Sequence, residues 1–270
     1  MKRRAFLLAA GASACGGAAP DRPFSASALA VARFAAPVEA AAERFYWREL
    51  EYLTALARES IAPKGPTLAP SLRALLFDSR GFVREVSDAD LRFSLLPSVL
   101  RDRRGSCVGL GSLYLALAEA LGIAAHGVLR PGHFYVRLEG GGAHTNVELL
   151  RRGEVMPDDW YRVRFPAPRG TEHQYGRPLT LNETLGVIEY NVGNQRRGER
   201  RIEAARSAYA RAVLHFPEFS EAHASLGATL HLLGRSAEAR LSYQSAQRLN
   251  PHLPNLARNM SLLETERVSE

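Results

Sequence analysis

Five residues near the C-terminus recur at a single spacing. Gly193, Ala205, Tyr209, Ala212 and Pro217 are answered 34 positions later by Gly227, Ala239, Tyr243, Ala246 and Pro251. A fixed period of this length marks stacked supersecondary units, each too small to bury its own apolar face and each packed on its neighbour. The residue types describe the unit. Gly and Ala let two helices approach closely, Tyr fills the space between them, and Pro ends the second helix because it cannot continue the hydrogen-bond ladder. Residues 182–265 therefore read as paired helices, with residues 256–263 as a capping helix. Two repeats are fewer than the three or so that stand alone, so the array is expected to pack on the rest of the chain and to hold a protein or peptide partner.

The other end of the chain reads as an address. Lys2, Arg3 and Arg4 lead into an apolar stretch, residues 5–14, just ahead of Cys15. That layout is a signal peptide, and it is too short to cross a bilayer as a helix, which takes about 20 apolar residues. Arg3-Arg4 followed by Ala5-Phe6-Leu7 resembles a twin-arginine export signal. Ala12-Ser13-Ala14 before Cys15 fits ordinary signal cleavage or a lipoprotein site at which Cys15 becomes a lipidated N-terminus. The expected location is thus exported, either periplasmic or attached to the membrane through a lipid on Cys15. Residues 15–36, rich in Ala, Gly, Pro and Ser, are expected to be a flexible tether.

Charge excludes little but says something. Loss of residues 1–14 removes Lys2, Arg3 and Arg4 and no acidic residue, so the formal excess falls from seven to four. Arg almost wholly replaces Lys, with Lys64 the only lysine after the signal. No basic stripe interleaved with aromatics is present, so nucleic acid is not an expected partner. No later apolar run is long enough to be a membrane span.

Cysteine use is more telling. An exported protein usually pairs its thiols, yet apart from Cys15 the chain has Cys107 alone. Cys107 stands directly ahead of a helical pattern in which Leu110, Leu113, Tyr114, Leu117 and Leu121 recur at three- and four-residue steps and Gly122 supplies the stop. At a helix N-terminus the unpaired N–H groups and the dipole favour thiolate over thiol, which is what a cysteine nucleophile needs. Ser106 is the expected N-cap. Short apolar or alternating runs follow: residues 123–129, then Arg130-Pro131-Gly132, then residues 133–138, then Gly140-Gly141-Gly142 and residues 143–150. These read as antiparallel strands joined by tight turns. His133 opens one strand and Asn146 lies midway in the next, which suits a thiolate, a general base and an orienting group. His126 and His144 are expected at the surface. No second Cys or His lies at ligand spacing from Cys107, and no Lys-Ser or Lys-Thr follows the Gly run, so neither a metal nor a nucleotide cofactor is expected.

Upstream, residues 38–60 are expected as a helix with Phe45, Leu50, Leu53 and Leu56 on its buried face, residues 71–77 as a second, and residues 88–96 as a third that ends at Pro97. Residues 157–178, with scattered Pro, Arg and Gly, are expected to be an irregular connection.

Short words recur in a definite order from Leu72 to about Tyr161, a third of the chain: Leu75-Leu76-Phe77 with Gly81-Phe82, Val99-Leu100 with Arg103-Arg104-Gly105, Leu113-Tyr114-Leu115 with Leu117-Ala118 and Leu121-Gly122, and Val128 with Pro131-Gly132-His133-Phe134 and Val136-Arg137. In this order and spacing the stretch resembles the transglutaminase-like superfamily, and within it the SirB-type branch. The 34-residue period is that of the tetratricopeptide repeat. The fold class implied is α+β: a papain-like or transglutaminase-like core with N-terminal helices over residues 37–165, a linker over 166–181 and an all-α repeat region over 182–265. The resemblance implies a site of Cys107 as nucleophile, His133 as base and Asn146 as third member, with Glu148 a rival for the last role. Two functions follow from different classes. One is a cysteine-dependent protease, amidase or acyltransferase, and the other is an inactive scaffold that binds proteins through its repeats.

Overall fold

The computed structural model describes residues 23–60, 68–85, 90–140 and 142–268. The expected signal segment and Cys15 lie outside the described residues. Helix α1 (Phe24–Ala35) corrects the expectation of a tether running to residue 36. Its Ala-rich composition conceals a helical stripe: Phe24, Ala28, Val31, Ala32 and Ala35 are buried at three- and four-residue steps. Then come α2 (Ala40–Ser60), α3 (Leu68–Arg73) running on into a π-helical turn at Ala74–Ser79, and the short strand β1 (Val83–Arg84).

A 3-10 turn, Leu91–Phe93, precedes α4 (Leu96–Asp102), so Pro97 starts a helix where the sequence was expected to end one. Proline suits the first turn of a helix, whose N–H groups lack intrahelical partners. Strand β2 (Arg104–Gly105) pairs with β1 in parallel, and α5 (Cys107–Leu121) follows. The main sheet is antiparallel in the order β3 (Ala125–Arg130), β4 (His133–Gly140), β5 (Ala143–Glu148) and β6 (Glu154–Val155). Helix α6 (Asp158–Arg164) falls inside the stretch expected to be irregular. Its acidic first turn (Asp158, Asp159) and basic last turn (Arg162, Arg164) match the helix dipole. The rest of that connection is pinned rather than loose: Gly176 N–H donates to Leu129 O at 2.9 Å and Leu179 N–H to Gly127 O at 2.8 Å, covering the edge of β3.

Helix α5 is the centre of the core. Every residue from Cys107 to Ala118 is buried, between α2 and α4 on one side and the sheet on the other. The sheet is covered on both faces, so β4 is buried from His133 to Leu138. Phe134, Val136 and Leu138 join the α5 core, while Tyr135 packs with Tyr161, Trp160 and Phe165 on the opposite face. Glu119, near the C-terminal end of α5, caps α1: its two oxygens accept from Phe24 N–H at 2.6 Å and Ser25 N–H at 3.3 Å.

The C-terminal third is helical: α7 (Leu181–Gly198), α8 (Ile202–His215), α9 (Ser220–Leu232), α10 (Ser236–Leu249) and α11 (Leu256–Val268). A capping box opens α7, with Thr180 and Glu183 each satisfying the other's backbone N–H. The 34-residue period is visible as packing. A Cβ on Gly193 would lie 2.5 Å from the Tyr209 ring, and one on Gly227 would lie 2.7 Å from Tyr243. The first hairpin shares the main core through Leu185, Phe216 and Phe219, while the second makes a satellite core with Leu256 and Leu263 of α11.

Gly193→Ala and Gly227→Ala are expected to cost about 1–3 kcal/mol each through overpacking against tyrosine. Gly140→Ala, where added carbon meets nothing within 4 Å, should stay within about 0.5 kcal/mol of the parent. Urea unfolding of the three variants checks this, and three equal midpoints would contradict the packing.

Candidate active site

Cys107 is the first residue of α5, and the chain before it is held tightly. Ser106 caps the helix, its Oγ accepting from Gly109 N–H at 3.3 Å and lying 3.1 Å from Ser94 Oγ. Ser106 N–H donates to Phe93 O at 2.8 Å. A Cβ on Gly109 would sit 1.9 Å from Phe93 O, so only glycine lets the 3-10 turn come this close to the first turn of α5. The sulfur is thereby fixed at a helix N-terminus, buried but bordering a cleft.

His133 is delivered by the hairpin between β3 and β4. Gly132 takes φ 65°, the left-handed conformation that a tight turn needs, and Arg130 pairs with His133 across it. Pairing of Val136 with Val147 puts Glu148 opposite Tyr135, so Glu148 is the diagonal neighbour of His133 on one face of the sheet. The side chains meet: His133 Nε2 lies 2.7 Å from Glu148 Oε2, and both are almost fully buried. The other carboxylate oxygen accepts from Leu150 N–H at 2.9 Å. A carboxylate can only accept, so in this pairing Nε2 is the donor and Nδ1 is the ring nitrogen left for another partner. Phe165 lies parallel to the imidazole at 4.0 Å, and the Tyr161 ring is 6.2 Å from it. Burial, and then the charge of Glu148, push the Tyr161 phenol up, so it stays neutral.

Asn146 sits one step further along and belongs to a different group. Its Oδ1 accepts from Arg137 Nε at 2.9 Å and its Nδ2 donates to Asp158 at 2.8 Å. Asp158 also takes Arg137 Nη2 at 2.8 Å and His144 Nε2 at 3.0 Å. Burial works against the Asp158 charge, but Asn146, His144 and Arg137 together hold its carboxyl below the ordinary value. The grouping expected from sequence is therefore corrected at its third member: Asn146 faces Arg137 across the strands, and the carboxylate that reaches His133 is its rival, Glu148. His144 is exposed as expected, whereas His126 is half-buried with Nδ1 3.2 Å from Leu179 O.

Cys107 and His133 line one cleft of about 210 Å³. Its floor is Val108, Leu129 and Phe134, and its far wall comes from the repeats: Tyr190, Asn191 and Asn194 of α7, with Phe219 and Glu221 at the start of α9. Sequence reasoning missed this wall, because nothing local in α7 shows that it will face a cysteine some 80 residues earlier. It also missed Phe165 and Tyr161, which lie in the stretch whose Pro and Arg content concealed α6.

The pairing can be read by proton NMR of the imidazole. A downfield N–H resonance, absent in His133→Gln, should vanish in Glu148→Ala and persist in Asn146→Ala. The reverse pattern would contradict the assignment. Glu148→Ala should also lose about 1–3 kcal/mol of stability, because it leaves a buried imidazole N–H unpaired.

The model of one family, described as the transglutaminase-like superfamily, matches residues 44–179, half of the chain. The match begins in α2 and ends at Leu179, just before α7, so it takes in Cys107, His133, Asn146 and Glu148. A search of curated proteins finds no match to this chain. The chain belongs to the transglutaminase-like superfamily.

Proposed function

We propose that the protein is an exported, cysteine-dependent acyl-transfer or amide-hydrolysing protein whose repeat helices present the substrate. The observation that carries this reading is that His133, paired in the interior with Glu148, lines the same cleft as Cys107. In the proposed cycle Cys107 Sγ attacks an amide or ester carbonyl while His133 Nδ1 holds the thiol proton. The Cys107 backbone N–H, at the start of α5, donates to the oxyanion. His133 gives its proton to the departing amine or alcohol as the carbon–nitrogen or carbon–oxygen bond breaks, which leaves a thioester on Cys107. Water or an amine then attacks, His133 takes its proton, and the thiol is regenerated with release of acid or amide. Glu148 keeps the ring oriented and stabilises the imidazolium, with Phe165 as a hydrophobic backing.

The finer family placement belongs to the same proposal. The quoted words around Pro131-Gly132-His133-Phe134 support the SirB-type branch, and the tyrosine-over-glycine packing at a 34-residue period supports tetratricopeptide repeats. Export rests on Lys2, Arg3, Arg4 and the apolar run ahead of Cys15, with a periplasmic or lipid-anchored location. The partner is a protein or peptide chain lying along α7 and α9, which brings it to the cysteine.

The test is the pH dependence of Cys107 alkylation by iodoacetamide in the mature protein and in His133→Gln. Labelling should stay rapid well below the ordinary thiol pKa of about 8.5 and lose that acid limb in the variant. A slow, ordinary thiol profile in both proteins would sink the enzymatic reading and leave the repeats as a binding scaffold.

A further inference from the structure

Among the described residues two arginines are buried, Arg130 and Arg137, each 8% exposed. A buried guanidinium is normally paired, because taking its charge out of water is costly. Arg137 meets this rule through Asp158 and Asn146. Arg130 does not. Its Nε donates to Phe165 O at 3.0 Å, and neither Nη1 nor Nη2 has an acceptor or an ion pair among the described residues. Burial pulls its pKa down; Tyr135 and Asp158 act against that shift and the charge of Arg162 acts with it. The arginine is nonetheless positioned with care. It closes the β3–β4 hairpin directly across from His133. Gly176, at φ 75°, leaves the room: a Cβ there would come 2.9 Å from Arg130 Nη1. Arg130 also lines the cleft that holds Cys107 and His133. The carboxylate of that cleft, Glu221, is already engaged by Tyr175 Oη, Ser220 Oγ at 2.9 Å and Gln174 Nε2 at 3.1 Å, and makes no ion pair with Arg130.

We propose that Arg130 is the anion-recognition residue of the cleft, so that the protein acts on substrates carrying a free carboxylate beside the carbonyl offered to Cys107. This rests on the cysteine chemistry proposed above and adds the substrate class. A planar carboxylate matches the remaining Nη1 and Nη2 of the guanidinium in a bidentate pair. The α-carboxylate of a chain end and the side chain of an acidic residue share that chemistry.

The experiment compares alkylation of Cys107 by iodoacetate, a carboxylate, with alkylation by iodoacetamide, its neutral isostere. It is run near pH 9.5, above the ordinary thiol pKa of about 8.5, where the thiol is ionised with or without help from His133. Failure of the cysteine mechanism is thereby separated from failure of this assignment. The iodoacetate-to-iodoacetamide rate ratio should fall about ten-fold in Arg130→Gln, the size expected of one unit charge a few ångströms away in a partly solvated site. Arg130→Lys should recover part of it. An unchanged ratio in folded Arg130→Gln overturns the proposal. Should that variant not fold, the parent protein decides: acetate should protect Cys107 from iodoacetamide where acetamide does not, and equal protection overturns it. If peptides with a free C-terminal carboxylate protect better than their amides, the source is the chain end. If glutamate-containing peptides protect better than glutamine ones, it is the side chain. Protection by inorganic phosphate but not acetate contradicts a carboxylate site.

Discussion

The close approach of the Leu91–Phe93 turn to the first turn of α5 is the contact on which the rest of the molecule depends. Gly109 admits the Phe93 carbonyl, Ser106 and Ser94 tie the two segments together, and α5 then leaves in a fixed direction through the core. One end of this helix positions Cys107. The other carries Glu119, which caps α1 and so draws the N-terminal helix onto the core. Gly111 lets Phe134 press against α5, since a Cβ there would lie 2.5 Å from the ring, and this sets the depth of the sheet that bears His133. Helix and hairpin are thus locked relative to each other by contacts with no slack for a larger side chain.

The His133–Glu148 pair is expensive to bury. Removing a carboxylate from water costs several kcal/mol, and mutual attraction offsets this only when the remaining hydrogen bonds are made. Glu148 has them, from His133 on one oxygen and Leu150 N–H on the other. Arg137, Asn146, Asp158 and His144 form a second polar group on the same face of the sheet, further from the hairpin. Phe165 stacked on His133 and Tyr161 stacked on Tyr135 cover the His133–Glu148 pair on the α6 side, whereas His144 and Asp158 reach the surface. The face thus keeps one fully buried ion-pairing couple, His133–Glu148, beside a network that runs from buried Arg137 and Asn146 out to the surface.

Much of this was legible in the residues, and the gaps have specific causes. The α5 pattern with Ser106 and Gly122 as caps, the hairpin at Pro131-Gly132 and the 34-residue packing of Tyr209 and Tyr243 on glycine follow from local rules of period and turn chemistry. Helix α1 was concealed by low-complexity Ala and Ser, whose burial depends on a docking surface that no local rule supplies. Pro97 was misread because proline breaks a helix interior yet suits its first turn, and only the position of the preceding 3-10 turn separates the two. The choice between Asn146 and Glu148 turned on a two-residue offset in strand register, which tertiary pairing fixes. The repeat wall of the cleft is purely tertiary.

The central claim is that Cys107, His133 and Glu148 act together on an acyl group. The most direct measurement is pre-steady-state acetylation of the protein by p-nitrophenyl acetate, with intact-mass and peptide mapping of the product. The account predicts a burst of nitrophenolate, a single acetyl thioester on Cys107, and loss of the burst in both His133→Gln and Glu148→Gln. Acetylation at the pace of an ordinary thiol, unchanged by either substitution, would contradict it.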